Sequence, residues 1–371
     1  MGRCAPLFNW VSAPQSCLAI RLLKSRPIIE TILSLIAIFK SLASIKPMQT
    51  RKPKNTTTEA PIVVKQHFVP VAYLRRFTNA QGMLERSEIE TGKVLSLAKA
   101  PSSECVIPFF YGEETGVKDE ISQQVESFWQ ELEDSVSKHL DDIERAIVTY
   151  QSLPEEYVYV LAVLGTMLWM RTPHLRETIN KSYAKFDKEL NQRMASYPQY
   201  TKNIIRALKE TGEEASQERA EKIRQEILQG DFKKTYDNSM HLSLIEDFKG
   251  YNNMFFGAKW RFYIAAGSRQ FITTSAPCIE VFPKIKNFYG PTFYERKHLF
   301  PLSPKVMCEI QAPWLPGKRV KRSSVNDDEV LAYNMQHGNW SHVPGQHSRC
   351  YASRKKELEE LEVLHNKQRK L

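Results

Sequence analysis

The chain has 371 residues, 42% of them hydrophobic and 25% charged, an ordinary globular composition with enough apolar side chains for one large domain or two modest ones. Its formal charge of +10 invites a nucleic-acid reading, but residues 1–60 hold nine Lys and Arg against only Glu30 and Glu59, so little net charge remains beyond them for a purely electrostatic binder. Six scattered cysteines with no CxxC pair argue against a disulfide scaffold or zinc ribbon and fit reduced thiols in a cytoplasmic protein.

Residues 1–60 read as a basic, partly apolar extension and linker. The run from Ile28 to Phe39 follows the basic stretch Arg21 to Arg26, yet it contains Glu30 and falls short of the ~20 apolar residues that a membrane span needs. Three readings stay open: a leader cleaved after the small residues Ser41-Leu42-Ala43, an interfacial helix touching a membrane through residues 28–45, or sequence upstream of a start at Met48. Residues 49–61 are polar and turn-rich, as a linker should be.

From 61 to 353 the pattern is that of a single domain. It opens on Lys65-Gln66-His67-Phe68-Val69-Pro70-Val71-Ala72-Tyr73-Leu74-Arg75-Arg76-Phe77, one histidine ahead of a proline and a dense aromatic and arginine cluster. Residues 83–89 and 93–97 then flank Glu90-Thr91-Gly92, two short runs of mixed polarity across a glycine turn, which predicts a β-hairpin. Between Lys118 and Tyr150 the apolar residues Ile121, Val125, Phe128, Trp129, Leu132, Val136, Leu140, Ile143 and Ile147 recur at spacings of three and four, predicting one amphipathic helix. Pro154-Glu155-Glu156 opens the next, with carboxylates at the positive end of its dipole. Residues 157–170 are apolar nearly all round, so this helix should be buried at the centre. Arg171-Thr172-Pro173 ends it, because Pro173 lacks an amide hydrogen and disfavours a helical residue before it. Residues 174–230, rich in Glu, Lys, Arg and Gln and interrupted at Pro198 and Gly212, read as an exposed helical layer or lid.

Strand character begins at Lys259. Trp260 to Ala266 and Gln270 to Thr274 are β-branched and aromatic, and Cys278 to Phe282 and His298 to Ile310 extend the sheet around Pro277, Pro283, Pro301 and Pro304. Asn326-Asp327-Asp328-Glu329 caps a last helix carrying Val330, Leu331, Tyr333 and Asn334. His337, His342 and His347 stand five apart rather than at the three or four of helical ligand pairs, and Gly338, Pro344 and Gly345 place them in a loop, so no metal site is read there. Residues 354–371 form a charged helical tail with a thin stripe of Leu358, Leu361 and Leu364, solvated or turned toward a partner. The expected fold is therefore α+β: an N-terminal β-hairpin, a central helical bundle built on one buried helix, and a C-terminal antiparallel sheet.

Four pieces recur here in a particular order: the opening motif, Arg171-Thr172-Pro173 after a buried helix, Phe271-Ile272-Thr273-Thr274-Ser275-Ala276-Pro277, and Phe300-Pro301-Leu302-Ser303-Pro304. Together they resemble the family called domain of unknown function 4238, over roughly residues 65–353. The resemblance brings no activity with it. The family's opening, His-x-Val-Pro-x-x-Tyr-Leu-x-x-Phe, is matched by His67, Val69, Pro70, Tyr73, Leu74 and Phe77. One departure matters: where the family usually has Ser, Asp and Asn before the proline, this chain has Thr274, Ser275 and Ala276. An aspartate there could act as general base or metal ligand, so an activity resting on that carboxylate would be altered or lost here.

By residue type, His67 suits acid/base work near neutral pH or, structurally, fixes the start of the hairpin. Arg171 can hold a phosphate or carboxylate in a fork, or pair a buried glutamate such as Glu126 and serve only the fold. Thr273, Thr274 and Ser275 are ligand-facing hydroxyls or the residues that a turn before Pro277 needs anyway. Ser303 reads as a turn residue, since no Gly-x-Ser-x-Gly surrounds it. Two functions follow. In one, Tyr73, Arg76, Glu126, Arg171, Thr274 and Ser275 line a pocket for a phosphate-bearing ligand, a nucleotide or nucleic acid, with His67 as acid/base if the ligand is hydrolysed. In the other, these residues form a structural polar network in a non-catalytic scaffold that meets a protein partner through residues 174–230 or the tail. The residues name no cofactor and no metal. Convergence of His67, Arg171 and Ser275 on one open cleft would favour the first function, and burial with mutual pairing the second.

Overall fold

The computed structural model describes residues 62–111, 120–173, 175, 189–210, 214–229, 239–281, 284–285, 293–294, 297–311, 319–340 and 348–368, all within a unit spanning Lys54–Leu371. The extension at 1–60, its apolar run, His342 and His347 lie outside the described residues. Lys65–His67 (β1) leads to Pro70, whose ring holds φ at −55° and turns the chain into the short helix Val71–Leu74 (α1). Phe68, Val69, Tyr73, Leu74 and Phe77 are fully buried, so the apolar spacing of the motif is that of a core segment. The predicted hairpin forms around Gly92, whose φ of +70° is the left-handed geometry such a turn demands. Its first arm is the strand Glu85–Glu88 (β2), and its second is held by bridges at Val94 and Lys99. Val106–Pro108 (β3) then returns to pair antiparallel with β1.

The apolar stripe expected as one helix over 118–150 is two, Glu120–Ser137 (α2) and Leu140–Val148 (α3). Ser137 turns its hydroxyl onto Asp134 O, and Asp141 and Asp142 provide the acidic first turn of a new helix. Glu155–Met170 (α4) is the central helix: Val160 to Leu168 are buried without a break. A Cβ on Gly165 would lie 3.1 Å from Phe300 and 3.3 Å from Phe255, so glycine there lets the helix approach its neighbours closely. The described part of 174–230 is mostly helical, with Tyr200–Glu210 (α5) and Gln217–Gln229 (α6) sharing a small core of Ala195, Ile204, Leu208, Ala220 and Ile227. Ser239–Gly257 (α7) packs along α4.

The C-terminal half is mostly strand: Lys259–Ala265 (β4), Thr273–Thr274 (β5), Ile279–Val281 (β6), Lys284–Ile285 (β7), Phe293–Tyr294 (β8), Lys297–Ser303 (β9), Val306–Gln311 (β10) and Val320–Val325 (β11). The main sheet runs β11-β4-β10-β9-β6, antiparallel except at its edge, where β11 lies parallel to β4. Asn326 caps Asp327–Trp340 (α8) in a reciprocal box: its Oδ1 accepts the N–H groups of Asp328 and Glu329, and Glu329 Oε2 accepts its own. His337, read above as a loop residue, lies inside α8, because Gly338 packs over Cys350 and tertiary contact overrides a helix penalty of about 1 kcal/mol. Arg349–Ala352 (β12) joins β2 and β5 in a second sheet. Lys355–Gln368 (α9) covers it: Leu358 is fully buried against Ile89, Ile272 and Ala352, so the leucine stripe is used within the chain. Among the described residues no helix is long and apolar enough to cross a membrane.

Candidate functional site

Arg171 sits at the C-cap of α4, its N–H donating to Met167 O at 3.1 Å, and its side chain is only 1% exposed. The guanidinium ties three segments together. Nε donates to Tyr111 Oη at 2.9 Å, Nη2 donates to His67 O, and Nη1 lies 3.7 Å from Glu133 Oε2. Tyr111 Oη itself donates to His67 O at 3.1 Å. Trp129 forms one wall, its ring centroid 5.4 Å from the guanidinium carbon. Glu126, Trp129 and Glu133 fall on one face of α2 because they stand three and seven positions apart. Tyr111 is delivered by β3, which is bracketed by Cys105 and Phe109 at φ of +53° and +48°, a geometry uncommon for bulky residues.

The electrostatics of this cluster are unbalanced: two carboxylates accompany one guanidinium. Glu126 is 7% exposed, and burial pushes its carboxyl up to about 7, opposed by Arg171 and reinforced by Glu133. Glu126 Oε2, Trp129 Nε1 and Arg171 Nη1 are buried and make no hydrogen bond with the described residues. The 3.7 Å between Nη1 and Glu133 is an ion pair too long to count as a hydrogen bond. Native structures rarely leave such groups unmatched. Beside Glu133 a narrow recess lies between α1 and α2, bordered by Pro70, Ala72 and Leu140; Arg171, Glu126 and Trp129 do not line it.

The other predicted residues are occupied elsewhere. The His67 ring is half-buried, its Nε2 3.2 Å from Ser102 O, and burial lowers its pKa from the ordinary histidine value although the Ser102 bond works against this. Tyr73 Oη donates to Pro301 O at 2.7 Å and accepts from Thr273 Oγ1 at 2.8 Å, so α1 is pinned to both sheets. Arg76 donates to Leu302 O and pairs with Asp141 and Glu144, and Glu144 in turn accepts the Ser303 hydroxyl. Thr274 Oγ1 donates to Ala276 O within its own turn. Ser275 Oγ accepts the Arg349 N–H at 3.1 Å. The structure therefore brings the His67 carbonyl and Glu126 to Arg171, while Tyr73 bonds to β5 and β9, Arg76 to β9 and α3, Ser275 to β12, and Thr274 within its own turn.

Position 275 acts as an acceptor, a task that an aspartate performs equally well. Ser275→Ala is expected to cost about 1–2 kcal/mol by orphaning the Arg349 N–H, whereas Ser275→Asp should restore it. Urea unfolding of the two variants checks this, and equal midpoints would show that the hydrogen bond is not what the position supplies.

Tyr111, Trp129 and Glu133 were not among the sequence candidates. A signal existed for the last two: Trp129 belongs to the apolar stripe of this helix, and Glu133 lies seven positions from Glu126 on the same face. Nothing in the sequence marked Tyr111. Among the described residues no group of three His, Cys, Asp or Glu could hold a metal ion, and Cys105, Cys278, Cys308 and Cys350 are free and buried. The model of a family described as Protein of unknown function (DUF4238) matches residues 65–342, from β1 through α8. No curated protein and no solved structure matches the chain.

Proposed function

We propose a function for a chain that belongs to the DUF4238 family, whose description carries no activity: it binds an anionic oxygen group, that of a phosphate-bearing ligand such as a nucleotide or nucleic acid, at Arg171. The observation that carries this is the cluster of Arg171 Nη1, Trp129 Nε1 and Glu126 Oε2, three buried polar atoms with no hydrogen-bond partner among the described residues. Two of them are donors, and a phosphate oxygen can accept from both. In this reading residues 61–353 are the functional domain of a cytoplasmic protein, 1–60 an extension and 354–371 a tail. Hydrolysis with His67 as acid/base would require its ring to exchange the Ser102 bond for one to the ligand.

Thermal unfolding in the presence of nucleotides and short single-stranded nucleic acids tests the reading. A ligand at a hundred times its dissociation constant should add about 2.7 kcal/mol of stability. The gain should shrink in Trp129→Phe, which keeps the ring and removes the donor. Absence of any shift across that set would sink the proposal.

The scaffold reading has its own support: His67, Arg171 and Ser275 do not meet on one open cleft, Arg171 is buried among its partners, and Tyr73, Arg76, Thr274 and Ser275 are committed to bonds within the chain. It gains if no phosphate-bearing compound shifts the unfolding temperature. The search would then move to a protein partner, at the α5–α6 pair.

A further inference from the structure

We propose that the Arg171 site takes up its anion together with a proton carried by Glu126, an inference that rests on the Arg171 reading above. Charge and donor count both lead there. Among the described residues, the groups facing Glu126 are Arg171 from α4, Glu133 from α2 itself, and Tyr111 from the segment after β3, while α7 presents the apolar Phe248 to the same face of α2. His67 of β1 meets Arg171 through its carbonyl, and burial favours the neutral form of its ring. With both carboxylates ionised, the cluster carries one net negative charge, and an incoming anion would meet uncompensated repulsion away from screening water.

A proton on Glu126 changes both terms. The cluster becomes neutral, and Oε2 turns from an acceptor into a hydroxyl donor. Arg171 Nη1, Trp129 Nε1 and the Glu126 hydroxyl are then all donors, buried without partners among the described residues. The carboxyl is also suitably poised, since burial has pushed it up to about 7, so little free energy separates its two states near neutrality. Linkage makes the effect reciprocal: an anion that prefers the protonated site raises the proton affinity of Glu126 by the same factor.

The probe is sulfate, which shares the tetrahedral oxyanion chemistry of phosphate and does not itself titrate in this range. Its binding is measured by calorimetry from about pH 5.5 to about pH 8.5, in pairs of buffers with different ionisation enthalpies. The dissociation constant should be level at the acid end and rise roughly tenfold per pH unit above about 7. Near pH 8 about one proton should be taken up per sulfate bound. Glu126→Gln, a neutral side chain of the same shape, should bind sulfate with a level pH profile, and Trp129→Phe should weaken binding by roughly tenfold. Binding to the wild-type protein that ignores pH would overturn the proton linkage and leave the Arg171 reading standing. A pH slope that survives in Glu126→Gln would overturn it too, by placing the proton elsewhere. Failure of sulfate to bind at acid pH, or binding indifferent to Trp129→Phe, would remove the site and the inference together.

Discussion

Arg171→Met is expected to lower the free energy of unfolding by about 3–5 kcal/mol, the cost of leaving buried partners of an ion pair uncompensated. The guanidinium is the hub through which α4, β1, Tyr111 and α2 hold one another, with bonds to His67 O and Tyr111 Oη and an ion pair to Glu133. Methionine fills a similar volume and keeps contact with Trp129, so the loss would come from charge and hydrogen bonding rather than from a cavity. Arg171→Lys should recover only part of it, because an ammonium cannot direct separate donors at Tyr111, His67 and Glu133 at once. Adding Glu126→Gln to Arg171→Met should cost less than the sum of the two single changes, since it removes a carboxyl that no longer has a cation beside it. Urea unfolding of the four variants beside the wild-type protein gives the answer. A single-variant loss below about 1 kcal/mol would mean that desolvating the arginine cancels what its bonds contribute.

The second large effect is on how stability depends on pH, where two buried groups act with opposite signs. Burial pushes the His337 imidazole down to about 4, against the Pro277 O that it faces at 2.5 Å. In the unfolded chain this histidine takes a proton below about 6.5, whereas the folded chain refuses it until about pH 4, so roughly 3 kcal/mol of stability is lost as pH falls through that window. Glu126 runs the other way. Its folded carboxyl keeps a proton up to about 7, while the unfolded chain releases it near 4.5, so a comparable amount is lost as pH rises through that interval. In the wild-type protein the two slopes nearly cancel between about pH 4.5 and about pH 6.5. Glu126→Gln should expose the histidine slope, becoming less stable relative to wild type as pH falls. His337→Gln should expose the carboxyl slope, becoming more stable relative to wild type over the same interval. Urea midpoints at several pH values decide it, and parallel profiles for all three proteins would dispose of the argument.

Much of the fold could be read locally. The unbroken apolar run from Tyr157 to Met170 has no polar face to leave in water, and that requires a buried helix. Gly92 marked the hairpin turn because a positive φ is cheap only for glycine, and Asn326 with Glu329 marked a helix start because their spacing satisfies each other's backbone groups. The break between α2 and α3 was harder to see: the apolar stripe continues through it, and the two aspartates that open α3 read equally well as solvated positions. At His337 local reasoning pointed the wrong way, because a glycine next to it lowers helix propensity by less than burial against β12 returns.

The candidate site divides along the same line. Arg171 was identifiable as a charged residue where a buried helix must end, and Glu126 as a carboxyl close to an apolar stripe. That Arg171 would meet Tyr111 and Glu133, and that Tyr73 would reach a carbonyl 228 positions away, depended on which helix faces and strand ends come together. Helix faces, turns and helix ends follow from spacings and backbone preferences that span a few residues, so they were legible in the chain. The partners were not, because a buried polar atom is matched by whatever the packing of distant segments brings within about 3 Å of it.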